Sequence, residues 1–315
     1  MIQRFIQYLT AILLGISLFS SCKTQDSVAP AEVITTTQSP EMQEDAKALL
    51  WKVSGNELAV ASYVFGTIHM IDAKDFFLPE GTLTAIDESA KVVFEIDMAD
   101  MNDPMKLMPM MQKAFMKGDT TLKDLMTEDE YGKVEAHFSK MGLPLFFLER
   151  IKPMFLTVFA SGDFDPQQLQ SGEIKSYEME FASMAEDSNK ETGGLETIDY
   201  QIGIFDGIPY KDQAQMLLDA IASDNPDGEE FQELINLYKA QDVEGLYKMM
   251  QGDETVAEYE DALLTTRNKN WIPIMSDMMS KDVTFFAVGA GHLGGPQGVI
   301  NLLREEGYTL TPITE

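Results

Sequence analysis

The chain has 315 residues and carries 52 Asp and Glu against 23 Lys and Arg, which gives a formal net charge of −29. Such an acidic chain lacks the basic face that nucleic-acid binding needs, so a nucleic-acid partner is excluded. One cysteine excludes an intrachain disulfide, and three histidines (His69, His137 and His292) limit any imidazole-based metal site.

The N-terminus predicts export and a lipid anchor. Residues 9–19 form an apolar run that is too short for a membrane span of about 20 residues but typical of a signal-peptide core. Two serines and Cys22 follow, and this ending resembles a bacterial lipobox, although Phe19 stands where an aliphatic residue is usual. We expect a signal peptide over 1–21 and a lipidated Cys22 that attaches the protein to the membrane. The alternative is an ordinary signal peptide with an incidental cysteine.

A flexible tether is predicted between the lipid and the folded domain. Residues 22–45 are rich in Ser, Thr, Pro and Gln and contain no aromatic side chain. The folded domain is expected over 46–315. The protein would then lie outside the cytoplasm, on the periplasmic or cell-surface side of a bacterial membrane.

The sequence pattern of this domain predicts an α/β fold, with a mixed β-sheet core, βαβ units and a large helical middle segment. A turn over 54–57 makes its first two strands a hairpin. The elements predicted in chain order are strands over 49–53 and 59–65, a helix over 80–90, a strand over 91–97, helices over 173–188, 197–206, 211–223, 227–251 and 254–280, and strands over 283–288 and 308–313. A polar stretch around Gly193 is expected after the first of these later helices. Pro296 is expected in the first turn of a last helix, with Gly307 at its C-cap.

Two of the three histidines occupy matching positions, each in a Gly-x-x-His turn directly after a predicted strand. His69 ends the first of these motifs and His292 the second, while Glu95 lies near the end of another apolar strand. Because ligand sites in α/β sheets form beyond the carboxyl ends of the strands, these side chains can meet if the strands are parallel neighbours. Two imidazoles and a carboxylate are typical of a divalent-metal site whose bound water attacks a carbonyl. The alternative is that each histidine is a packed or capped side chain.

Two other features are assigned no chemistry. His137 lies in a polar helical stretch and is expected on the surface. The 21 methionines, many of them within 101–116 and 275–279, are interpreted as adaptable core packing. Contact with varied peptides and Cu(I) ligation are the alternatives for the methionines.

The motifs together resemble the TraB/GumN family, which includes the Tiki metalloproteases. Three of them are strand-end segments: Gly66-Thr67-Ile68-His69, Phe94-Glu95-Ile96-Asp97 and Gly289-Ala290-Gly291-His292. The likeness runs from about 49 to 313 and includes segments over 194–201 and 267–271. It implies an α/β core shared with erythromycin-esterase-like and haem-binding ChaN-like proteins, and peptide cleavage with Mn²⁺ or Co²⁺ in Tiki relatives.

The resemblance also implies roles for particular residues. His69 and His292 would be metal ligands, and Glu95 a ligand or the general base. Glu196 and Arg267 match recurring family positions and are further catalytic candidates. Arg267 could bind a substrate carboxylate or stabilise an oxyanion, and a structural ion pair is the alternative for both residues. Asn268 is a candidate of the same kind.

We therefore expect a metal-dependent, peptidase-like hydrolase that acts outside the cytoplasm with a Mn²⁺, Co²⁺ or Zn²⁺ ion. The acidic excess would serve either solubility or the attraction of basic substrates. The main alternative is a non-catalytic lipoprotein that binds a peptide or a haem-like ligand in the same crevice. A further alternative is a lipoprotein that acts only through structural or partner interactions.

Overall fold

The computed structural model describes residues 47–100, 104–160, 171–222, 229–252 and 258–314. The predicted signal peptide, the lipidation site at Cys22 and nearly all of the predicted tether lie outside these residues. Across the described ranges, no helix has both the length and the apolar character that a membrane crossing needs.

A mixed sheet forms the centre of the fold, and six strands make it up within the described residues. These strands are β1 (Leu50–Gly55), β2 (Ser62–Thr67), β4 (Lys91–Ile96), β6 (Glu191–Glu196), β7 (Thr284–Gly289) and β8 (Tyr308–Pro312). A separate pair consists of β3 (Ile71–Asp72) and β5 (Ile174–Lys175). The order across the large sheet is β6-β4-β7-β2-β1-β8.

Strand direction sets where the candidate site can form. β1 runs antiparallel to β2 and β8, whereas β6, β4, β7 and β2 pair in parallel. The carboxyl ends of β4, β7 and β2 therefore lie side by side along one edge of the sheet, the edge at which these parallel strands end. β7 and β8 are the strands of the predicted βαβ unit, with β2 and β1 between them.

Helices cover the sheet and form the middle of the chain. They are α1 (Thr82–Glu88), α2 (Pro104–Lys113), α3 (Leu122–Leu125), α4 (Glu128–Lys140), α5 (Pro153–Ala160), α6 (Tyr177–Asp187), α7 (Ile198–Phe205), α8 (Tyr210–Ala222), α9 (Glu229–Lys239), α10 (Val243–Gln251), α11 (Thr266–Lys281) and α12 (Val299–Glu305). A π-helix over Asp261–Thr265 leads directly into α11, and 3₁₀ turns lie over Leu145–Phe147 and Ala290–His292. The predicted α/β class is confirmed.

Strand β6 is the largest difference from the predicted elements, because the sequence indicates a polar stretch there. Its sequence, ETGGLE, contains no β-branched aliphatic residue, and β6 lies at the edge of the sheet. A Cβ on Gly194 would lie 2.6 Å from the backbone nitrogen of Asp97, so glycine is needed where β6 and β4 approach closely. β6 matters for the site because it ends at Glu196.

Helix boundaries also differ from the predictions. The predicted helix over 227–251 is two helices, because Gln241 adopts a left-handed conformation with φ of 56° and Asp242 caps the N-terminus of α10. The last helix, α12, begins at Val299 rather than at Pro296. Gly307 follows the C-cap residue Glu306 in the left-handed region, with φ of 91°.

Two hydrophobic clusters divide the interior. One surrounds the sheet and includes Phe65, Phe285 and Trp271, and the other lies among the middle helices and includes Phe138 and Phe155. The methionines are split: Met275 and Met279 belong to the first cluster, whereas Met105 and Met108 are exposed.

The expectation that His137 lies on the surface is wrong. His137 is buried in α4 on the same face as Val134 and Phe138, three positions before it and one after it. Residues 134, 137 and 138 face one side of a helix, so the histidine is carried into the interior by its apolar neighbours. The polar residues around it in the sequence belong to the opposite, exposed face.

An ion pair in the helical cluster supports a stability prediction. The ammonium group of Lys152 is buried and donates to the partly exposed carboxylate of Asp206. We expect Asp206→Asn to lower the free energy of unfolding by about 1–3 kcal/mol, because it leaves a buried charge without its counter-ion. Urea denaturation is the measurement. Asp129→Asn, which breaks the exposed pair with Lys133, is the control and should change stability by less than about 0.5 kcal/mol. Equal effects of the two substitutions would contradict the prediction.

Candidate functional site

Three segments that the sequence singles out meet at one edge of the sheet. Glu95 lies on β4, His292 follows β7 in a 3₁₀ turn, and His69 follows β2 two residues after the strand ends. The nearest imidazole nitrogen of His292, Nε2, lies 3.8 Å from Oε1 of Glu95. The parallel pairing of β4, β7 and β2 thus brings the three residues into one neighbourhood.

The guanidinium of Arg267 lies at the centre of this neighbourhood. Its Nε–H donates to both oxygens of Glu196, at 3.1 and 3.2 Å. Nη1 donates to the carbonyl of Leu263 and to Nε2 of His292, each at 3.1 Å. Nη2 donates to Oε1 of Glu196 at 2.7 Å and to Oε2 of Glu95. All five N–H groups of the guanidinium are therefore engaged by the protein itself.

Local structure around Arg267 explains its orientation. The π-helix ends at Thr265, two residues before the arginine, and such wide turns re-aim the side chains that follow. One turn later, the Trp271 ring lies 4.9 Å from the guanidinium carbon, and its indole N–H donates to Oε2 of Glu196 at 3.0 Å. The sequence places Glu196 and Arg267 at recurring family positions, and the structure joins them through a bidentate ion pair.

His292 is buried and held in one tautomer. Its Nδ1 lies 2.6 Å from Oδ1 of Asn268, whose own amide donates to the carbonyl of Gln297 at 2.8 Å. Nδ1 must therefore carry the proton and donate it, which leaves Nε2 to accept from Arg267. Burial and the positive charge of Arg267 lower the pKa of His292 to about 3, so the ring is neutral at neutral pH. Asn268 thus orients the second motif histidine.

His69 differs from its partners because solvent reaches it. Its side chain is 26% exposed, whereas Arg267 is 9% exposed and Glu95 is 5% exposed. Nδ1 of His69 lies 3.0 Å from Oε1 of Glu178. Burial lowers the pKa of His69, but the charge and hydrogen bond of Glu178 raise it by more, so the net shift is upward.

Glu178 is a residue of the candidate site that the sequence does not reveal. Its buried carboxylate accepts hydrogen bonds from Thr67 Oγ1 at 2.6 Å and from Ser176 Oγ at 3.0 Å, besides its contact with His69. In the sequence it is one acidic residue in the first turn of a helix, a common arrangement that carries no specific signal. The adjacent Tyr177 packs against Phe65 of β2, with ring centroids 5.8 Å apart, and this contact brings Glu178 to the site.

Glu95 is ionised and fully engaged. Oε1 accepts from the backbone N–H of Gly289 at 2.9 Å, and Oε2 accepts from Arg267 and from Nε2 of Gln201 at 3.3 Å. Burial raises the pKa of Glu95, but Arg267, the two neighbouring histidines and the hydrogen bond from Gly289 together outweigh it, and the pKa falls to about 2. Gln201, from the segment that carries the family likeness, is a further contact that the sequence alone leaves without a role.

Comparison with known proteins places the chain in a family. Residues 49–312 match the sequence model of the TraB/PrgY/gumN family. The chain belongs to this family. The family predicted from the motifs is therefore confirmed.

The curated relatives of this TraB/PrgY/gumN member are distant. Metalloprotease TIKI2 of Danio rerio is 21% identical over 85% of this chain and 61% of its own length. Metalloprotease TIKI2 of Xenopus tropicalis is 22% identical over 85% of this chain and 60% of its own length, and metalloprotease TIKI1 of Homo sapiens is 20% identical over 84% and 62%. The chain thus spans about three fifths of the length of the curated relatives it matches. No solved structure matches the chain significantly.

The names of these relatives imply a divalent metal in those proteins, so the donor set of this TraB/PrgY/gumN chain needs a test of fit. Both histidines have Nδ1 anchored to an oxygen, as metal-bound histidines usually do. However, Nε2 of His292 and Oε2 of Glu95 both contact the guanidinium of Arg267. Across the described ranges, no three His, Cys, Asp or Glu side chains are placed to hold a metal ion. A second cation beside Arg267 would also be repelled, so the arranged residues do not fit a divalent ion.

The second Gly-x-x-His motif of this family member is clamped from outside by α10. A Cβ on Gly291 would collide with Sδ of Met250, and the backbone N–H of Gly295 donates to Oε2 of Glu244 at 2.9 Å. At Gly294, a Cβ would lie 2.4 Å from the backbone carbonyl oxygen of Val243 in α10, so glycine is needed there for the approach of the helix. α10 in this way fixes the loop that carries His292.

This contact predicts a coupled pair of substitutions. We expect Gly291→Ala to lower the free energy of unfolding by up to about 1 kcal/mol, because the added methyl group displaces the flexible end of the Met250 side chain. The double variant Gly291→Ala/Met250→Ala should be less destabilised than the sum of the two single variants, as measured by urea denaturation.

Gly203 of α7 is the matched control for this pair. A Cβ there meets no atom within 4 Å, so Gly203→Ala should raise stability by about 0.5–1 kcal/mol through helix propensity. Strict additivity of the Gly291 and Met250 substitutions would show that the helix does not clamp the loop.

Proposed function

We propose that this chain is a hydrolase that cleaves peptide bonds. The observation that carries the proposal is the pairing of the solvent-reachable His69 with the buried Glu178 at the sheet edge where Glu95 and His292 also lie. Distant likeness to proteins named metalloproteases supports hydrolysis as the reaction class. Because the chain spans only about three fifths of the length of those proteins, we do not assign their particular substrates to this chain.

His69 is the proposed general base. With Nδ1 held by Glu178, Nε2 is the ring nitrogen that can accept a proton from water. The water oxygen forms a bond to the peptide carbonyl carbon, and the carbon–nitrogen bond then breaks. The proton taken up by His69 passes to the leaving amine, so the imidazole returns to its starting state. The carboxylate of Glu178 stabilises the imidazolium while it carries this proton.

Glu95, Glu196 and Arg267 are proposed as positioning residues. All five guanidinium N–H groups already have acceptors, so binding of a substrate carboxylate by Arg267 would break bonds within the site. The structural ion pair, one of the two readings of the sequence, is the reading that this geometry supports. The ion pair would hold His292 and Glu95 in fixed positions next to His69.

The alternative is a non-catalytic lipoprotein that binds a peptide or a haem-like ligand in the same crevice. One observation favours it. His292 and Glu95 are both hydrogen-bonded to Arg267, which leaves His69 as the exposed member of the set. A single exposed imidazole can hold a ligand without turning it over.

A peptide library tests hydrolysis against binding. The purified full-length protein, in detergent, is incubated with the library, and products are read by mass spectrometry. We expect cleavage by the unmodified protein, a loss of about 10²–10⁴-fold in rate for His69→Ala, and a smaller loss for Glu178→Gln. Asp129→Asn is the surface control and should cleave normally. Peptides retained intact on the protein would establish the binding alternative.

Separate arms of this experiment address the metal. One contains a chelator, and others contain added Mn²⁺, Co²⁺ or Zn²⁺. Activity that disappears with the chelator and returns with one of the ions would support the metal-dependent form expected from the family resemblance.

We also propose that the protein is exported and anchored by a lipid on Cys22. The apolar run before Cys22 and the polar segment after it support this location. Cys22→Ser should move the protein from the detergent phase to the aqueous phase in a detergent-partition assay, because acyl chains can no longer attach. Ser21→Ala is the control and should stay in the detergent phase. Unchanged partitioning of Cys22→Ser would remove the anchor from the proposal.

A further inference from the structure

Two carboxylates that would otherwise repel each other are buried around Arg267. The side chains of Glu95 and Glu196 are 5% and 4% exposed, and both contact Nη2 of the arginine. A buried pair of ionised carboxylates needs a positive charge between them, which a divalent ion supplies in many hydrolases. Here the guanidinium supplies it.

The guanidinium also contacts the same atoms that a metal would use. The ligands expected for an ion at this edge are His69, His292 and Glu95, and two of the expected ligand atoms are Nε2 of His292 and a carboxylate oxygen of Glu95. Nη1 donates to the first at 3.1 Å, and Nη2 donates to the second. The indole of Trp271 and the carbonyl of Leu263 complete a shell around this one cation.

The guanidinium of Arg267 is held by regular secondary structure and not by a flexible loop. Arg267 lies in the first turn of α11, directly after the π-helix. Its carboxylate partners lie on two neighbouring strands, β4 and β6. Planar, bidentate contact with Glu196 fixes the orientation of the guanidinium, which a lysine in its place could not reproduce. Entry of a divalent ion would require this whole set of bonds to break.

We propose that Arg267 is the resident cation of this site and stands in the place of a divalent metal ion. The inference rests on the proposed function, because it says how the hydrolysis proposed above proceeds without a metal. It follows that removal of Arg267 should turn the site into a metal site. Glu95, Glu196 and Nε2 of His292 would then lie around one space with no cation in it.

Metal binding, measured apart from activity, tests this inference. The full-length protein and its variants are titrated with Co²⁺ and followed by visible absorption. Metal content is measured after dialysis against Mn²⁺, Co²⁺ or Zn²⁺. We expect no cobalt–histidine absorption and well below one equivalent of metal in the unmodified protein. Arg267→Ala should take up about one equivalent of Co²⁺, and the double variant Arg267→Ala/His292→Ala should lose that signal.

Lys269→Met is the matched control, because it removes a positive charge from an exposed position two residues further along α11. It should bind no more Co²⁺ than the unmodified protein. If Arg267→Ala fails to fold, the titration of the unmodified protein decides alone. One equivalent of Co²⁺ bound there, and lost in His69→Ala or His292→Ala, overturns the inference.

The two proposals fail in different ways. An unmodified protein that binds a metal and cleaves peptides overturns the role of Arg267 and leaves the hydrolase intact. A protein that holds no metal and cleaves nothing overturns the hydrolase, although Arg267 would still be the resident cation.

Discussion

The ion pairs of Arg267 are the interaction on which the rest of this site depends. Glu95 comes from β4, Glu196 from the end of β6 and His292 from the turn after β7, and each contacts the one guanidinium. Loss of the arginine would leave two buried carboxylates without a counter-charge, which is strongly destabilising. The arginine therefore couples the geometry of the sheet edge to the packing of α11.

This arrangement separates two kinds of histidine that look identical in the sequence. Burial and the neighbouring positive charge of Arg267 lower the pKa of His292 to about 3, which keeps the ring neutral. Burial also lowers the pKa of His69, but the buried Glu178 raises it by more, and solvent reaches the ring. One motif histidine is thus held in a fixed position, and the other is suited to proton transfer. The difference arises from the partners of each ring and not from the motifs.

The surrounding elements make this edge rigid. α10 packs against the His292 loop through Met250 and Glu244, and Trp271 packs against both the guanidinium and the His292 ring. A hydrolytic site benefits from such preorganisation, because groups fixed before the substrate arrives need no rearrangement during the reaction.

The sequence by itself indicated the α/β class, the family, and that His69, Glu95 and His292 would meet at one sheet edge if their strands were parallel neighbours; the structure supplied that pairing. It could do so because hydrophobic strand patterns and Gly-x-x-His turns are local, and parallel strands place their ends together. Only the tertiary structure decided that Glu178 pairs with His69, because a contact between Tyr177 and Phe65 brings it there. It alone decided that β6 is a strand, that His137 is buried and that Arg267 holds both carboxylates. These outcomes depend on which segments, distant in the sequence, pack together in the fold. The spacing of residues along the chain does not predict which segments these are.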